Sequence, residues 1–115
     1  MESKSIPNDH ITASSEIKRR YASYGRLNHD RYSWCAETSD SNPYLQIDLQ
    51  VLHIICAVST QGNHRENQWV KNYKLQFSST GSTWSDYKEG GQVKVKIYLS
   101  YVVHWIDKKR CFVTL

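Results

Sequence analysis

The segment YLQIDLQVLHIICAVSTQG, Tyr44 to Gly62, constrains this chain more than any other stretch. Leu45, Ile47 and Leu49 alternate with Gln46, Asp48 and Gln50, and a period of two places the apolar set on one side of an extended chain. From Leu52 the pattern changes to Leu-His-Ile-Ile-Cys-Ala-Val, apolar on both sides, as in a central strand covered on each face. The shortness of that run, its Ile and Val content and the bounding Gly62 favour a strand over a helix.

A chain of 115 residues fits one domain with a single core. The best apolar run, Ile97 to Ile106, is half the length needed to span a bilayer and contains His104. The start, MESKSIPNDH, lacks the apolar segment of a signal peptide. The net charge of +4 is unevenly placed: residues 1–92 hold ten Lys and Arg against ten Asp and Glu, and residues 93–115 hold five against one. The body of the chain is neutral, so nucleic acid is not an expected partner. Of three cysteines, at least one is unpaired. Cys56 reads as a small core residue of the buried strand, whereas a Cys35–Cys111 bridge is neither required nor forbidden by the sequence.

Around the central segment the signals are those of short strands and polar loops. Pro7-Asn8 is a turn signal before Ile11-Thr12-Ala13, a short strand start. Residues 16–43 read as long loops, with Gly25 as a turn and Pro43 forcing extended geometry ahead of the alternating strand. Tyr73, Leu75 and Phe77 alternate with polar residues in a second half-buried strand, and STGSTW supplies a Gly-centred hairpin turn. Trp69, Tyr73, Phe77 and Trp84 are expected in the core. No helix is convincing, so the expected fold is all-β, a sandwich or barrel.

Four linked stretches, IPNDHITASS, YGRLN, YLQIDLQVLHIICAVSTQG and WVKNYKLQFSSTGSTW, occur in the order and spacing of the discoidin domain, also called the coagulation factor type C domain. The chain resembles that family over residues 1–92, and YSWCAE with TQGNH leans toward the discoidin domains of collagen-receptor kinases. The resemblance implies a galactose-binding-domain-like jelly-roll β-sandwich, incomplete at its C-terminal end, whose loops at one end carry binding. In that fold Thr60-Gln61-Gly62 would release the chain into a loop. Thr80 stands where the family's hairpin has Asp, and the family's closing strands are not found. Residues 93–115 are instead a divergent tail, in which Val93, Val95, Ile97 and Leu99 alternate with Lys94, Lys96, Tyr98 and Ser100 and are able to pair as one added strand.

The candidate ligand-binding residues follow from these loops. Ile17, Lys18, Arg19, Arg20 and Tyr21 form the tip of the first loop by position in the family. Its basic residues suit anionic head groups or acidic sugars, and Ile17 and Tyr21 are its bulky apolar candidates. In the second loop Arg31, Tyr32 and Trp34 have the composition of an interface anchor, although Trp34 is equally suited to packing on the end of the sandwich. Asn63, His64 and Arg65 occupy the loop after Gln61 and only loosely match the receptor-type segment, so collagen binding is not carried over intact.

An enzyme is not expected. His10, His29, His53, His64 and His104 show no metal-ligand spacing, and no nucleophile signature surrounds any Ser or Cys. Some members of the family hold calcium, but no Asp-rich loop here calls for it, and no cofactor is expected. The expected function is that of a non-catalytic extracellular adhesion or recognition module for a cell-surface or matrix protein or glycan. The alternatives are peripheral binding to anionic phospholipid and a domain fragment without function.

Overall fold

The computed structural model describes residues 6–30, 32–54, 60–63, 65–66, 68–70, 72–86, 98–107 and 113–114. Seven strands are present among them: β1 (Ile11–Ala13), β2 (Tyr44–Ile54), β3 (Thr60–Gln61), β4 (Asn72–Ser78), β5 (Ser85–Asp86), β6 (Tyr98–Asp107) and β7 (Val113–Thr114). Two single 3-10 turns, Asn8–His10 and Ala22–Tyr24, flank the first strand and interrupt the first long loop. A five-stranded antiparallel sheet runs in the order β1-β2-β6-β4-β5, and β3 pairs with β7 in a separate two-stranded sheet.

The alternation in β2 does what its period dictates. Leu45 and Ile47 are fully buried, and opposite them on β1 lie Ala13 and Ile11. Ile11, Leu45 and Ile47 form the core cluster with Ala22 and Trp34, and Ile6, Ala13, Ala36, Leu49 and Val70 pack against it. Burying each large apolar side chain contributes on the order of 1.5–3 kcal/mol, so this small cluster anchors β1, β2 and the long loop together.

Just before Leu52, where the sequence pattern changes, the backbone is irregular. Gln50 takes a left-handed φ of 67°, and its N–H donates to Asp48 Oδ1 at 2.7 Å. At this point the β2–β6 register jumps from Asp48↔Tyr101 to His53↔Leu99, five positions on β2 against two on β6. The irregularity swings the strand, so residues before and after Gln50 no longer share one pleat. β2 nevertheless continues to Ile54; of the run from Leu52, where the fully buried pattern was expected, the part from 55 onward lies outside the described residues.

β6 lies between β2 and β4 and pairs with both, from Tyr44↔Trp105 on one side and Asn72↔Asp107 on the other. The tail thus holds an inner strand over Tyr98–Asp107; of the stretch Val93 to Ser100 where an added strand was expected, 93–97 lie outside the described residues. The expected hairpin is also present: β4 turns into β5 through Gly81, whose φ of 78° is the left-handed conformation glycine accepts.

The aromatic core expectation needs correction. Phe77 is buried and Trp84 partly so, but Trp69 is 47% and Tyr73 43% exposed. Trp69 precedes β4, and Tyr73 is only its second residue, paired at Ile106 near the sheet's end. Alternation specifies which face a side chain takes, not how far along the strand the core extends.

Candidate functional site: a loop rim built on Arg20

The first long loop reaches its tip at residues 17–20. Arg20 N–H donates to the Ile17 carbonyl at 2.9 Å, closing a turn. Both ends of that turn are tied to Cys35: Ile17 N–H donates to the Cys35 carbonyl at 3.1 Å, and Cys35 N–H donates to the Arg20 carbonyl at 3.3 Å. Cys35 is itself buried and disulfide-bonded; the other two cysteines, Cys56 and Cys111, lie outside the described residues. Arg19 adopts a φ of 66°, a conformation costing a non-glycine residue on the order of 1 kcal/mol, which the tethers on either side hold in place.

These constraints sort the expected loop residues. Ile17, Lys18 and Arg19 are exposed on the tip. Arg20 turns back: its guanidinium lies 4.9 Å from the centre of the Tyr32 ring and forms an ion pair with Glu66 of the loop after β3. Its Nη1 is buried with no partner among the described residues. One guanidinium thus ties together three loops.

Tyr21 begins the 3-10 turn Ala22–Tyr24, and Glu16 Oε2 accepts the Ala22 N–H at 2.7 Å to hold its start. The three-residue period of such a turn brings Tyr21 and Tyr24 onto one side, with ring centres 5.3 Å apart in an edge-to-face contact. Tyr24 stacks on His29 at 4.4 Å and lies nearly parallel to Tyr32 at 6.2 Å. The outer members of this group, Tyr21 and Tyr32, are exposed. The result is a preorganised aromatic surface with Arg20 behind it and Ile17, Lys18 and Arg19 beside it in sequence.

Trp34 takes the packed role of the two open to it. It is fully buried, and its indole N–H donates to the Ser15 carbonyl at 2.9 Å, so it supports the rim from within the core. Asn63 is also buried. Its backbone exchanges hydrogen bonds with Gln68, at 2.7 and 3.2 Å, and its Oδ1 accepts the Arg65 N–H at 3.2 Å, which closes the loop carrying Arg65 and Glu66. Arg65 is exposed; Arg31 and His64 lie outside the described residues.

Tyr24, His29 and Glu66 were not among the residues the sequence singled out. For Tyr24 a signal existed, since Tyr-Ala-Ser-Tyr places aromatics three apart ahead of Gly25, at the spacing of a 3-10 turn. For Glu66 there was none, because 46 residues separate it from Arg20.

Below the rim, Ser14 and Ser15 hydroxyls each donate to Asp40 Oδ2 at 2.6 Å, and Asn42 N–H donates to Oδ1 at 3.0 Å. The serine hydrogen bonds hold the Asp40 carboxyl below its usual pKa. Arg26 is buried, and that burial lowers its pKa. No cluster of metal-ligating side chains occurs among the described residues, and none of their helices is long and apolar enough to cross a membrane.

Comparison with known proteins agrees with the architecture. The profile of the F5/8 type C domain family matches residues 10–108. Neuropilin-2 of Rattus norvegicus is 39% identical over 101 residues, covering 83% of this chain and 11% of that protein. Neuropilin-1 of Homo sapiens is 36% identical over 97 residues (80% and 10%), and coagulation factor V of Sus scrofa 35% over 111 residues (85% and 5%). The chain therefore spans about a tenth or less of the length of these relatives. Among solved structures, CBM32-3 from a family 31 glycoside hydrolase of Clostridium perfringens superposes with a TM-score of 0.63 over 95% of this chain and 88% of its own, at 13% identity. The fold is thus a galactose-binding-like jelly-roll β-sandwich.

Proposed function

We propose, because this chain belongs to the F5/8 type C domain family, that it is a non-catalytic recognition module, displayed outside the cell or on its surface, which binds a protein or glycan ligand on the loop rim. The observation that carries this reading is the pair of exposed rings, Tyr21 and Tyr32, held in place by Tyr24 and Arg20. Tyrosines offer large contact area with little side-chain entropy to lose, and ring packing fixed before binding removes much of that loss. Tyr21 and Tyr32 supply apolar faces and hydroxyls, while the tip residues Lys18 and Arg19, and Arg65, give directional polar contacts at the edge.

The ion pair with Glu66 bears on the choice of ligand. It offsets the charge of Arg20, leaving Lys18 and Arg19 as the exposed cations of the tip. Peripheral binding to anionic lipid is a second reading, favoured by the exposure of Ile17 beside those two cations. Each cation would contribute on the order of 1 kcal/mol near an anionic membrane.

Salt separates the two. The full chain is to be screened on an array of glycans and matrix proteins, and against phosphatidylserine-containing vesicles, at low and at high salt. Array binding that persists at high salt is expected. Binding confined to vesicles, and lost as salt rises, would replace the proposal with the lipid reading.

A further inference from the structure

In sequence, Thr60-Gln61-Gly62 marks the exit of a strand into a loop; in the fold, Gln61 also reaches back to the first long loop. Its Oε1 accepts the backbone N–H of Asn28 at 3.0 Å, across 33 residues. Asn28 has a φ of 54°, in the left-handed region that asparagine enters more readily than most residues but still at a cost. The bond therefore falls on a turn whose conformation gains from a fixed partner.

Both sides of this bond are anchored. Gln61 pairs with Val113 in the β3–β7 ladder, and the next residue, Gly62, lies so close to Gln68 and Trp69 that a Cβ has no room. On the loop side, Gly25 packs on the core, where a Cβ would lie 2.6 Å from Leu45 Cδ2, and Arg26 bonds to the Ile6 carbonyl and Asn8 Oδ1. Beyond these anchors the chain turns at Asn28, and His29 stacks on Tyr24 at 4.4 Å. Tyr24 in turn meets Tyr21 edge-on and lies nearly parallel to Tyr32.

We propose that Gln61 is a positioning residue of the aromatic rim. Its carboxamide oxygen holds Asn28 in the left-handed turn that lays His29 on Tyr24, and so keeps Tyr21 and Tyr32 in their arrangement. Rings fixed in advance lose less freedom when a ligand arrives, so the bond favours binding. That gain rests on the rim being the recognition surface; the hold on His29 does not. The hold needs an acceptor oxygen at position 61, which Glu supplies and Met, of similar length, lacks.

Aromatic NMR of the full chain tests the hold without a ligand. In the parent, the His29 ring protons should be shifted upfield by the Tyr24 ring and show cross-peaks to it. Gln61→Met should lose half or more of that shift, and Gln61→Glu should keep it, with the Trp34 indole N–H signal unmoved in both as the mark of an intact core. Should Gln61→Met not fold, hydrogen exchange at Asn28 in the parent decides, and slowed exchange is expected. An unchanged His29 shift in Gln61→Met, its loss in Gln61→Glu, or unprotected exchange at Asn28 would each overturn the proposal. On the glycan and matrix-protein array at high salt, Gln61→Met should bind several-fold more weakly than Gln61→Glu. Full binding by a Gln61→Met chain that has lost the stack would overturn the rim as the recognition surface and not the hold on His29.

Discussion

Arg20 presents its guanidinium to the face of Tyr32, 4.9 Å from the ring centre, and the same group is ion-paired with Glu66. The loop tip is therefore held from both sides, and the pair should matter for local opening more than for global stability. Glu66→Gln should change the free energy of urea unfolding by less than about 1 kcal/mol, because Glu66 is exposed. Limited trypsin digestion after Lys18 and Arg19 should nevertheless become faster as the tip opens. Equal digestion rates would show that Glu66 does not restrain the tip.

Trp34 is expected to be structural. Trp34→Phe removes the donor to the Ser15 carbonyl and leaves unfilled volume, and should cost about 1–3 kcal/mol in urea unfolding. A variant as stable as the parent would show that the Trp34 indole does not hold the loop to the core.

The extent to which this could be foreseen differs from residue to residue. Leu45 and Ile47 were legible because period two reports a face directly, and they are the centre of the core. The irregularity at Gln50 was not, since a positive φ at a glutamine has no sequence signature and left only a change of pattern. Trp34 was ambiguous because a tryptophan between Tyr32 and Glu37 reads equally well as anchor or as core. Arg20 was read with Lys18 and Arg19 as a tip cation suited to anionic head groups or acidic sugars, and its long-range partners Tyr32 and Glu66 distinguish it from the other two. Contacts across dozens of residues are set by topology, which local pattern does not encode.

Gly62 is constrained by space. A Cβ there would lie 2.9 Å from the Gln68 carbonyl oxygen and 3.0 Å from Trp69 Cβ. The carbonyl is backbone and already bonded to Asn63 N–H, so it cannot swing aside as a flexible side chain would. Gly62→Ala should cost about 1–3 kcal/mol and reduce hydrogen-exchange protection at Asn63 and Gln68.

The depressed pKa of Asp40, caused first by Ser14 and Ser15, makes a signed prediction. A carboxyl with a lowered folded value stabilises the fold above the unfolded value, about 3.9, and that contribution is lost as pH falls through the folded value. Asp40→Asn should lose stability at neutral pH, and the difference from the parent should shrink as the solution is acidified below about pH 4. Urea titrations across that range measure it; a constant difference would rule out the linkage.

Because β6 bridges β2 and β4, removing residues after Gln92 takes away the inner strand of the sheet. The shortened chain should show no cooperative thermal transition where the full chain does. A cooperative transition in the shortened chain would mean that the sheet closes without Tyr98–Asp107.

The most direct test of the account is array binding of the full chain beside a Tyr21→Ala, Tyr32→Ala double variant, at high salt, with Lys18→Ala, Arg19→Ala as a third sample. The tyrosine variant is expected to lose about tenfold or more in affinity with its unfolding midpoint little changed, and the basic variant to lose much less. Full binding by the tyrosine variant, or loss confined to the basic one, would contradict an aromatic rim as the recognition surface.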